Sequence, residues 1–286
     1  MANKTIERNN IVLVPTDFTP VGQNAIDHAI VAAEVLKFKV VVLHVINRET
    51  RSKLGEEKTH KAVEEKLKAI VKDIKSRSKV KVDYIFREGS IFDVIHEVAT
   101  EIKANVMILG THGKKGVQHI TGSYAMKVIT QSPVPVIVVQ KRKIDPNGYQ
   151  KIVFPISLYT EARQQVFYAI VNSVLFKSEI MIYKQKSSDP ADISTLNIIT
   201  SQIEDEFRRN KVKYAIAQAE HTRNFTSQLL DYAVSNSADM IMMMTDSSIG
   251  TNFDTSSWSE KMIYNVAQIP VFSINPVHLG HIYYGL

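Results

Sequence analysis

The sequence predicts an α/β protein of two tandem doubly wound domains, each with a mostly parallel five-stranded sheet and helices on both faces. Three observations lead to this prediction. The chain has 286 residues, which is long for one compact domain and comfortable for two. The pattern of residues 11–46 returns at 152–185. Short runs rich in Val, Ile and Leu alternate with segments of helical periodicity.

Five apolar runs of the first repeat predict β-strands, because turn-forming or charged residues bound each of them. These runs are 11–15, 39–46, 80–86, 105–110 and 135–140. Between them, apolar residues such as Ala25, Ala29, Ala32 and Leu36 recur at spacings of three and four, so each helix can lay one apolar stripe on a sheet. Strands that are apolar on both faces and alternate with such helices predict a parallel sheet covered on both sides.

The boundary between the repeats is predicted within 141–150, which has the charges, Pro and Gly of a linker. We therefore predict one domain at 1–143, a second at 150–276 and a C-terminal tail at 277–286.

Two shorter segments, 48–57 and 186–190, occupy the same place in the two repeats. Both are interpreted as loops before a helix, either mobile or covering a ligand.

Composition limits the possible classes of protein. There is no cysteine, which excludes disulfides and thiolate metal sites and fits a cytoplasmic location. The polar N-terminus shows no signal peptide, and the apolar runs are far shorter than the roughly 20 residues of a membrane helix. We expect a soluble cytoplasmic protein.

The basic residues concentrate in the first half, where residues 1–145 carry 24 Lys and Arg against 16 Asp and Glu. Within 51–81 they alternate with acidic residues, which indicates a solvated helix face. Binding of nucleic acid or a membrane surface through this segment is an alternative, although the segment lacks interleaved aromatic residues and any motif that reads bases.

The ends of the first and fourth strands carry the candidate site, since ligands of open parallel sheets lie beyond the carboxyl ends of the strands. Asp17 follows the first strand and can either accept hydrogen bonds from a ribose or an adenine amine, or cap the next helix. Gly110 ends the fourth strand, and glycines at 113 and 122 follow it. They indicate either a phosphate-binding loop that leads to the helix start at Ser123 or a plain tight turn.

The sequence resembles the universal stress proteins, and the resemblance spans nearly the whole chain as a tandem pair. The motifs that carry it are PTDFT at 15–19, LHVI at 43–46, GTHG at 110–113, GS at 122–123 and SPVPVIVV at 132–139. The fold implied is adenine nucleotide alpha hydrolase-like. The loop from Gly113 to Gly122 is one residue shorter than in the ATP-binding branch of the family.

The resemblance implies a site for ATP or a related adenine nucleotide, accompanied by magnesium or manganese. The residues that match are Pro15, Thr16, Asp17, Val45, Leu109, Gly110, Gly113, Gly122, Ser123 and Tyr124. Asp17 would contact adenine and ribose, and Val45 would pack on the adenine. Gly113, Gly122, Ser123 and the amide of Tyr124 would hold the phosphates. His112 lies in the same loop and is the one histidine that we assign to the site.

The second repeat is predicted to lack this site. Ser157 stands near the place of Asp17, and the segment 245–248 replaces the glycine loop. The resemblance suggests a structural half that pairs with the first through the terminal strands, near 135–140 and 270–274. We expect an intramolecular pseudo-dimer and, as a further prediction, a homodimer of chains.

Catalysis receives little support from the sequence, because it contains no G-x-S-x-G elbow, Walker A lysine motif or H-E-x-x-H zinc motif. A nucleotide sensor or switch of the stress response is therefore the expected function. A nucleotide-free protein that acts through protein–protein contacts and a weak ATPase remain the alternatives.

Overall fold

The structure is a computed structural model that describes residues 9–112, 122–158, 162–245 and 258–275. The described residues divide into two compact units, one of residues up to Ile137 together with Asn275 and one of Val138–Ile274. The predicted limits of the two domains and the predicted pairing of their terminal strands stay predictions.

The first unit is a parallel α/β sheet with the strand order β3-β2-β1-β4-β5. Its strands are β1 (Ile11–Pro15), β2 (Lys39–Ile46), β3 (Val82–Glu88), β4 (Val106–Gly110) and β5 (Val136–Val139), the last of which extends across the division. Its described helices are α1 (Pro20–Leu36), α2 (Arg48–Leu54), α3 (Thr59–Arg77), α4 (Ile91–Glu101) and α5 (Gly122–Thr130). Strand β1 pairs in parallel with β2 and with β4, so the strand order reverses beside it.

The predicted α/β fold is confirmed, and the predicted strands lie within two residues of the observed ones. β1 and β2 have the predicted bounds, and both are almost wholly buried. Strands buried on both faces are the expected signature of a sheet covered by helices, which explains why apolar runs located them.

The prediction of a loop at 48–57 is wrong, because the segment forms α2 and a short 3-10 turn at Glu56–Lys58. Asn47 caps α2 by accepting hydrogen bonds from the amides of Glu49 and Thr50. Gly55 ends the helix with a φ of 81°, a conformation that glycine adopts readily. Polar composition favoured a loop, whereas the caps at both ends fix a short helix.

The second unit repeats the same arrangement, with the strand order β10-β9-β6-β7-β8. Its strands are β6 (Lys151–Ile156), β7 (Glu179–Lys184), β8 (Tyr214–Gln218), β9 (Met240–Met244) and β10 (Val271–Ile274). Its described helices are α6 (Ala162–Phe176), α7 (Pro190–Arg209), α8 (Phe225–Ser235) and α9 (Trp258–Ile263). The segment before α7 is a loop up to its cap Asp189, as the sequence predicts for 186–190.

The strand registers of the two units match residue by residue. Pro15 pairs with Leu43 in the first unit, and Pro155 pairs with Tyr183 in the second. Val12 likewise pairs with Val106, as Ile152 pairs with Met240. Residues 17 and 157, 44 and 184, and 110 and 244 are therefore structurally equivalent.

Candidate functional site

A cavity of about 450 Å³ lies at the carboxyl ends of β1 and β2 in the first unit. It is beside the point where the strand order reverses, the usual location of ligand sites in open α/β sheets, and its volume is within the range of small-molecule pockets, about 300–1,000 Å³. The lining residues are Pro15, Thr16, Asp17, Phe18, Thr19, Pro20, Leu43, His44, Val45, Asn47, Glu49, Thr50, Lys53, Leu54, Lys66, Ile91 and Ile95. Four of the predicted site residues, Pro15, Thr16, Asp17 and Val45, are among them.

The turn from β1 to α1 fixes the carboxylate of Asp17. Oδ1 accepts hydrogen bonds from the amide of Thr19 at 3.0 Å and from its hydroxyl at 2.5 Å. Thr19, rather than Asp17, is the cap of α1, since its hydroxyl oxygen accepts from the amide of Gly22. Asp17 therefore orients the cap residue through one carboxylate oxygen, while the whole side chain stays part of the cavity wall.

An aromatic stack forms another part of the wall. The rings of Phe18 and His44 lie 4.3 Å apart, and Nζ of Lys66 lies 5.0 Å from the centroid of the Phe18 ring. Phe18 has a φ of 63°, which is uncommon for a bulky residue. A strained backbone that persists at the end of a strand is frequent at binding sites.

The His44 ring of this stack is almost wholly buried. Nδ1 donates a hydrogen bond to the carbonyl of Thr16 at 2.8 Å, and Nε2 is hydrogen-bonded to the hydroxyl of Thr50 at 3.2 Å. Burial lowers the pKa of His44 below its ordinary value, and this effect outweighs the hydrogen bond to Thr16 and the charge of Asp17, which raise the pKa. With both ring nitrogens hydrogen-bonded, His44 links the ends of β1 and β2 to α2.

The residues after β4 approach the same turn from the other side. Leu109 is buried in the strand, and Nε2 of His112 lies 3.2 Å from Oγ1 of Thr19 and 3.8 Å from Oδ2 of Asp17. Leu109, Gly110 and His112 do not line the cavity itself. His112 thus links the end of β4 to the turn that does.

Gly110 allows α1 to lie close to β4. A Cβ atom at this position would be 2.8 Å from the carbonyl oxygen of Val21 and 3.2 Å from its side chain. A glycine at this position therefore sets how closely the first turn of α1 approaches the sheet.

The predicted phosphate-binding residues are described only in part. Gly122, Ser123 and Tyr124 form the first turn of α5, where free backbone amides and the helix dipole favour an anion. Gly113 lies outside the described residues.

Two lysines beside the cavity were not predicted. Lys53 on α2 and Lys66 on α3 both line it, although the sequence indicated a solvated face for this stretch. The missed signal is helical spacing, because Val63 and Leu67 form the buried stripe of α3 and Lys66 directly adjoins Leu67.

Metal-binding side chains do not cluster in the described part of the chain. No group of three or more His, Asp or Glu there is arranged to hold a metal ion. Among the described helices, none is both long and apolar enough to cross a membrane.

The equivalent positions of the second unit carry different side chains. Ser157 is buried at the position of Asp17, Lys184 stands at that of His44, and Met244, only 2% exposed, stands at that of Gly110. Beside them Tyr183 stacks on the rings of Phe225 and Tyr232. The second unit thus has neither the carboxylate nor the glycine of the first.

Comparisons with known proteins agree with this architecture. Residues 8–140 match the profile of the Universal stress protein family. Universal stress protein MJ0531 of Methanocaldococcus jannaschii is 31% identical over 140 residues, covering 46% of this chain and 82% of the relative. Universal stress protein MJ0577 of the same organism is 28% identical over 153 residues, covering 46% of this chain and 94% of the relative.

A solved structure extends the likeness to both units. The crystal structure of a universal stress protein from Archaeoglobus fulgidus has a TM-score of 0.76 and 18% sequence identity, covering 94% of this chain and 99% of that one. This likeness concerns the fold. The sequence of the relative that is 31% identical and the fold of this solved structure agree with each other. The chain belongs to the universal stress protein family.

Proposed function

We propose that the first unit binds an adenine nucleotide, with ATP as the expected ligand, and that the protein is a nucleotide sensor or switch in the stress response. The observation that carries this proposal is the cavity at the carboxyl ends of β1 and β2, whose wall includes the motif residues Pro15, Thr16, Asp17 and Val45. A nucleotide needs an apolar wall for its base and polar groups for its ribose, and this cavity offers both.

The base and ribose are assigned to the strand ends. Val45, Leu54 and Ile91 are apolar residues of the wall on which a flat base can pack. Asp17 is the carboxylate that we assign to a ribose hydroxyl or an adenine amine, from which it would accept a hydrogen bond. Its rigid turn preorganises it, so little conformational entropy is lost on binding.

The phosphates are assigned to the positive end of α5, through Gly122, Ser123 and the amide of Tyr124, with Gly110, His112 and Gly113 leading to it. Lys66 adds positive charge to the cavity wall, whereas Lys53 pairs with Glu49 of the same wall at 3.6 Å. A magnesium or manganese ion would arrive with the phosphates, which usually supply several of its ligands. Its chemistry there would be to neutralise phosphate charge.

The test is a calorimetric titration of ATP with magnesium into protein freed of bound nucleotide. We expect saturable binding at one site per chain and a loss of affinity of about tenfold or more for Asp17→Ala, since charge-assisted hydrogen bonds contribute about 1.5–3 kcal/mol. The matched control is Ser157→Ala, which changes the equivalent position of the second unit and should leave binding unchanged.

Absence of binding to the wild-type protein would refute the proposal and favour a nucleotide-free protein that acts through protein contacts. Release of inorganic phosphate, measured in the same samples, separates a sensor from an ATPase, because a sensor leaves the bound ATP intact during the titration. A cytoplasmic location, the pseudo-dimer of the two units and a homodimer of chains are further parts of this proposal.

A further inference from the structure

Strand β8 is the outer strand of the second sheet and is unusually apolar for an edge. It reads YAIAQ, carries no charged residue and exposes Ala215, Ile216 and Gln218. Ile216 is 42% exposed. Edge strands with exposed apolar residues and no charge are prone to pair with another strand.

The parallel ladder with β7 determines which backbone groups of β8 point outwards. The carbonyl of Lys213 accepts from the amide of Ile180, and the amide of Ala219 donates to the carbonyl of Lys184, both at 2.9 Å. Residues 213, 215, 217 and 219 therefore face β7. Because adjacent residues of a strand point their backbone groups to opposite sides, the N–H and C=O groups of Tyr214, Ile216 and Gln218 point away from the sheet.

The corresponding edge of the first unit is guarded. Strand β3 carries Asp83, Arg87 and Glu88, and each of them forms an ion pair within the unit. Charged side chains on an edge strand discourage pairing with a foreign strand. Of these two edge strands, β8 lacks this protection.

We propose that β8 is a self-association surface, through which two copies of this chain pair in antiparallel orientation about a two-fold axis at Ile216. In this register Ile216 lies opposite Ile216 of the second copy, and Tyr214 lies opposite Gln218. Each of these is a hydrogen-bonded pair, because the residues with outward N–H and C=O groups meet one another. The two isoleucines also form an apolar cross-strand pair.

The charges beside β8 favour a second copy in this orientation. Lys211 and Lys213 precede the strand, and Glu220 follows it closely. Nζ of Lys213 also pairs with Glu179 on β7 at 2.9 Å, so Lys211 is the main basic group for this contact. Antiparallel pairing brings the basic end of each strand to the acidic end of the other, whereas parallel pairing would bring like charges together. The surface is self-complementary, as a two-fold interface requires.

A five-residue strand buries little area, so the dimer should be weak and dependent on concentration. The experiment is sedimentation velocity of the full chain over a range of concentrations. We expect the wild-type protein to shift from monomer to dimer, and the dissociation constant to rise about tenfold or more in Ile216→Lys, because like charges would face each other on the axis.

The matched control is Val174→Lys. Val174 is 62% exposed on α6, which packs against β6, β7 and β9. The dissociation constant of the Val174→Lys dimer should stay within about twofold of the wild-type value, since surface substitutions away from specific contacts change stability and binding little. A dimer that both variants weaken equally, or that neither weakens, would overturn the proposal, as would a wild-type protein that is monomeric throughout.

Hydrogen exchange at the amide of Ile216 provides a second measurement that does not depend on substitution. Protection of this amide should rise with protein concentration. Protection that is already complete at low concentration would mean that another part of the same chain covers β8, and this result would also overturn the proposal. Both measurements are made without nucleotide, so they do not depend on the proposed ATP site.

Discussion

The first and second units have the same strand order and the same register, yet their side chains differ at the carboxyl edge of the sheet. Asp17, His44 and Gly110 of the first unit correspond to Ser157, Lys184 and Met244 of the second. The parallel sheet determines where a ligand can bind, because it brings the strand ends together. Individual side chains then decide whether these strand ends carry a carboxylate and a glycine, as in the first unit, or a serine and a buried methionine, as in the second.

The largest expected effect comes from emptying the filled position. Met244→Ala should lower the free energy of unfolding by about 2–5 kcal/mol, because truncating a buried methionine leaves a cavity. Urea unfolding followed by the fluorescence of Trp258, the single tryptophan of the chain, measures this effect. Met244→Leu, which nearly conserves volume, should cost less than about 1.5 kcal/mol. Equal losses in both variants would show that side-chain volume is not what matters at this position.

The reciprocal change adds a side chain at the equivalent position of the first unit, where α1 lies too close to leave room for one. Gly110→Ala should cost about 1–3 kcal/mol, because its methyl group would lie 2.8 Å from the carbonyl oxygen of Val21. Hydrogen exchange of the amides in β4 and α1 reports the loss. The double variant Gly110→Ala/Val21→Ala should not recover the lost stability, because the closest contact of the new methyl group is with the backbone of Val21. Full recovery would mean that the side chain of Val21 is the obstacle.

The buried histidine of the first unit should make its stability depend on pH. The pKa of His44 is lowered from 6.5 in the folded state, so the unfolded chain binds a proton first as the pH falls. The contribution of His44 to the free energy of unfolding is complete above pH 6.5. It decreases as the pH falls towards the folded-state pKa, by at most about 1.4 kcal/mol per pH unit.

Urea unfolding of the wild-type protein and of His44→Gln at several pH values between 7.5 and about 5 tests this expectation. The wild-type protein should lose more stability than the variant over this range. Parallel curves would exclude His44 as a source of the pH dependence.

The smallest expected effect concerns Lys66, which the sequence did not predict to belong to the site. Lys66→Met should cost about 0.5–1 kcal/mol of stability through the lost contact with the ring of Phe18. It should also weaken ATP binding, by about threefold to tenfold if Lys66 contributes charge to the cavity. Lys72→Met, on the exposed face of the same helix, is the control for both measurements. Equal effects of the two variants on ATP binding would reduce the role of Lys66 to net charge.

The position of the candidate site could be predicted from sequence because it depends on order along the chain. Asp17 follows a fully apolar run, and such a run forms a strand buried on both faces, so the carboxylate had to lie at the end of the sheet. The two lysines could not be assigned to the site in the same way. Their contact with it depends on the angle at which α2 and α3 lie over the sheet, which the charge pattern does not encode.

The sequence by itself determined the alternation of strands and helices, the repeat of that pattern and the motif residues at the strand ends, because these follow from local periodicity and burial. Only the tertiary structure decided which distant residues meet. Phe18, His44 and Lys66 come from a turn, a strand and a helix that are far apart in the chain, and their stack exists only after packing. The same packing removes His44 from water and thereby lowers its pKa, since the pKa of a buried group depends on its surroundings as well as on its residue type.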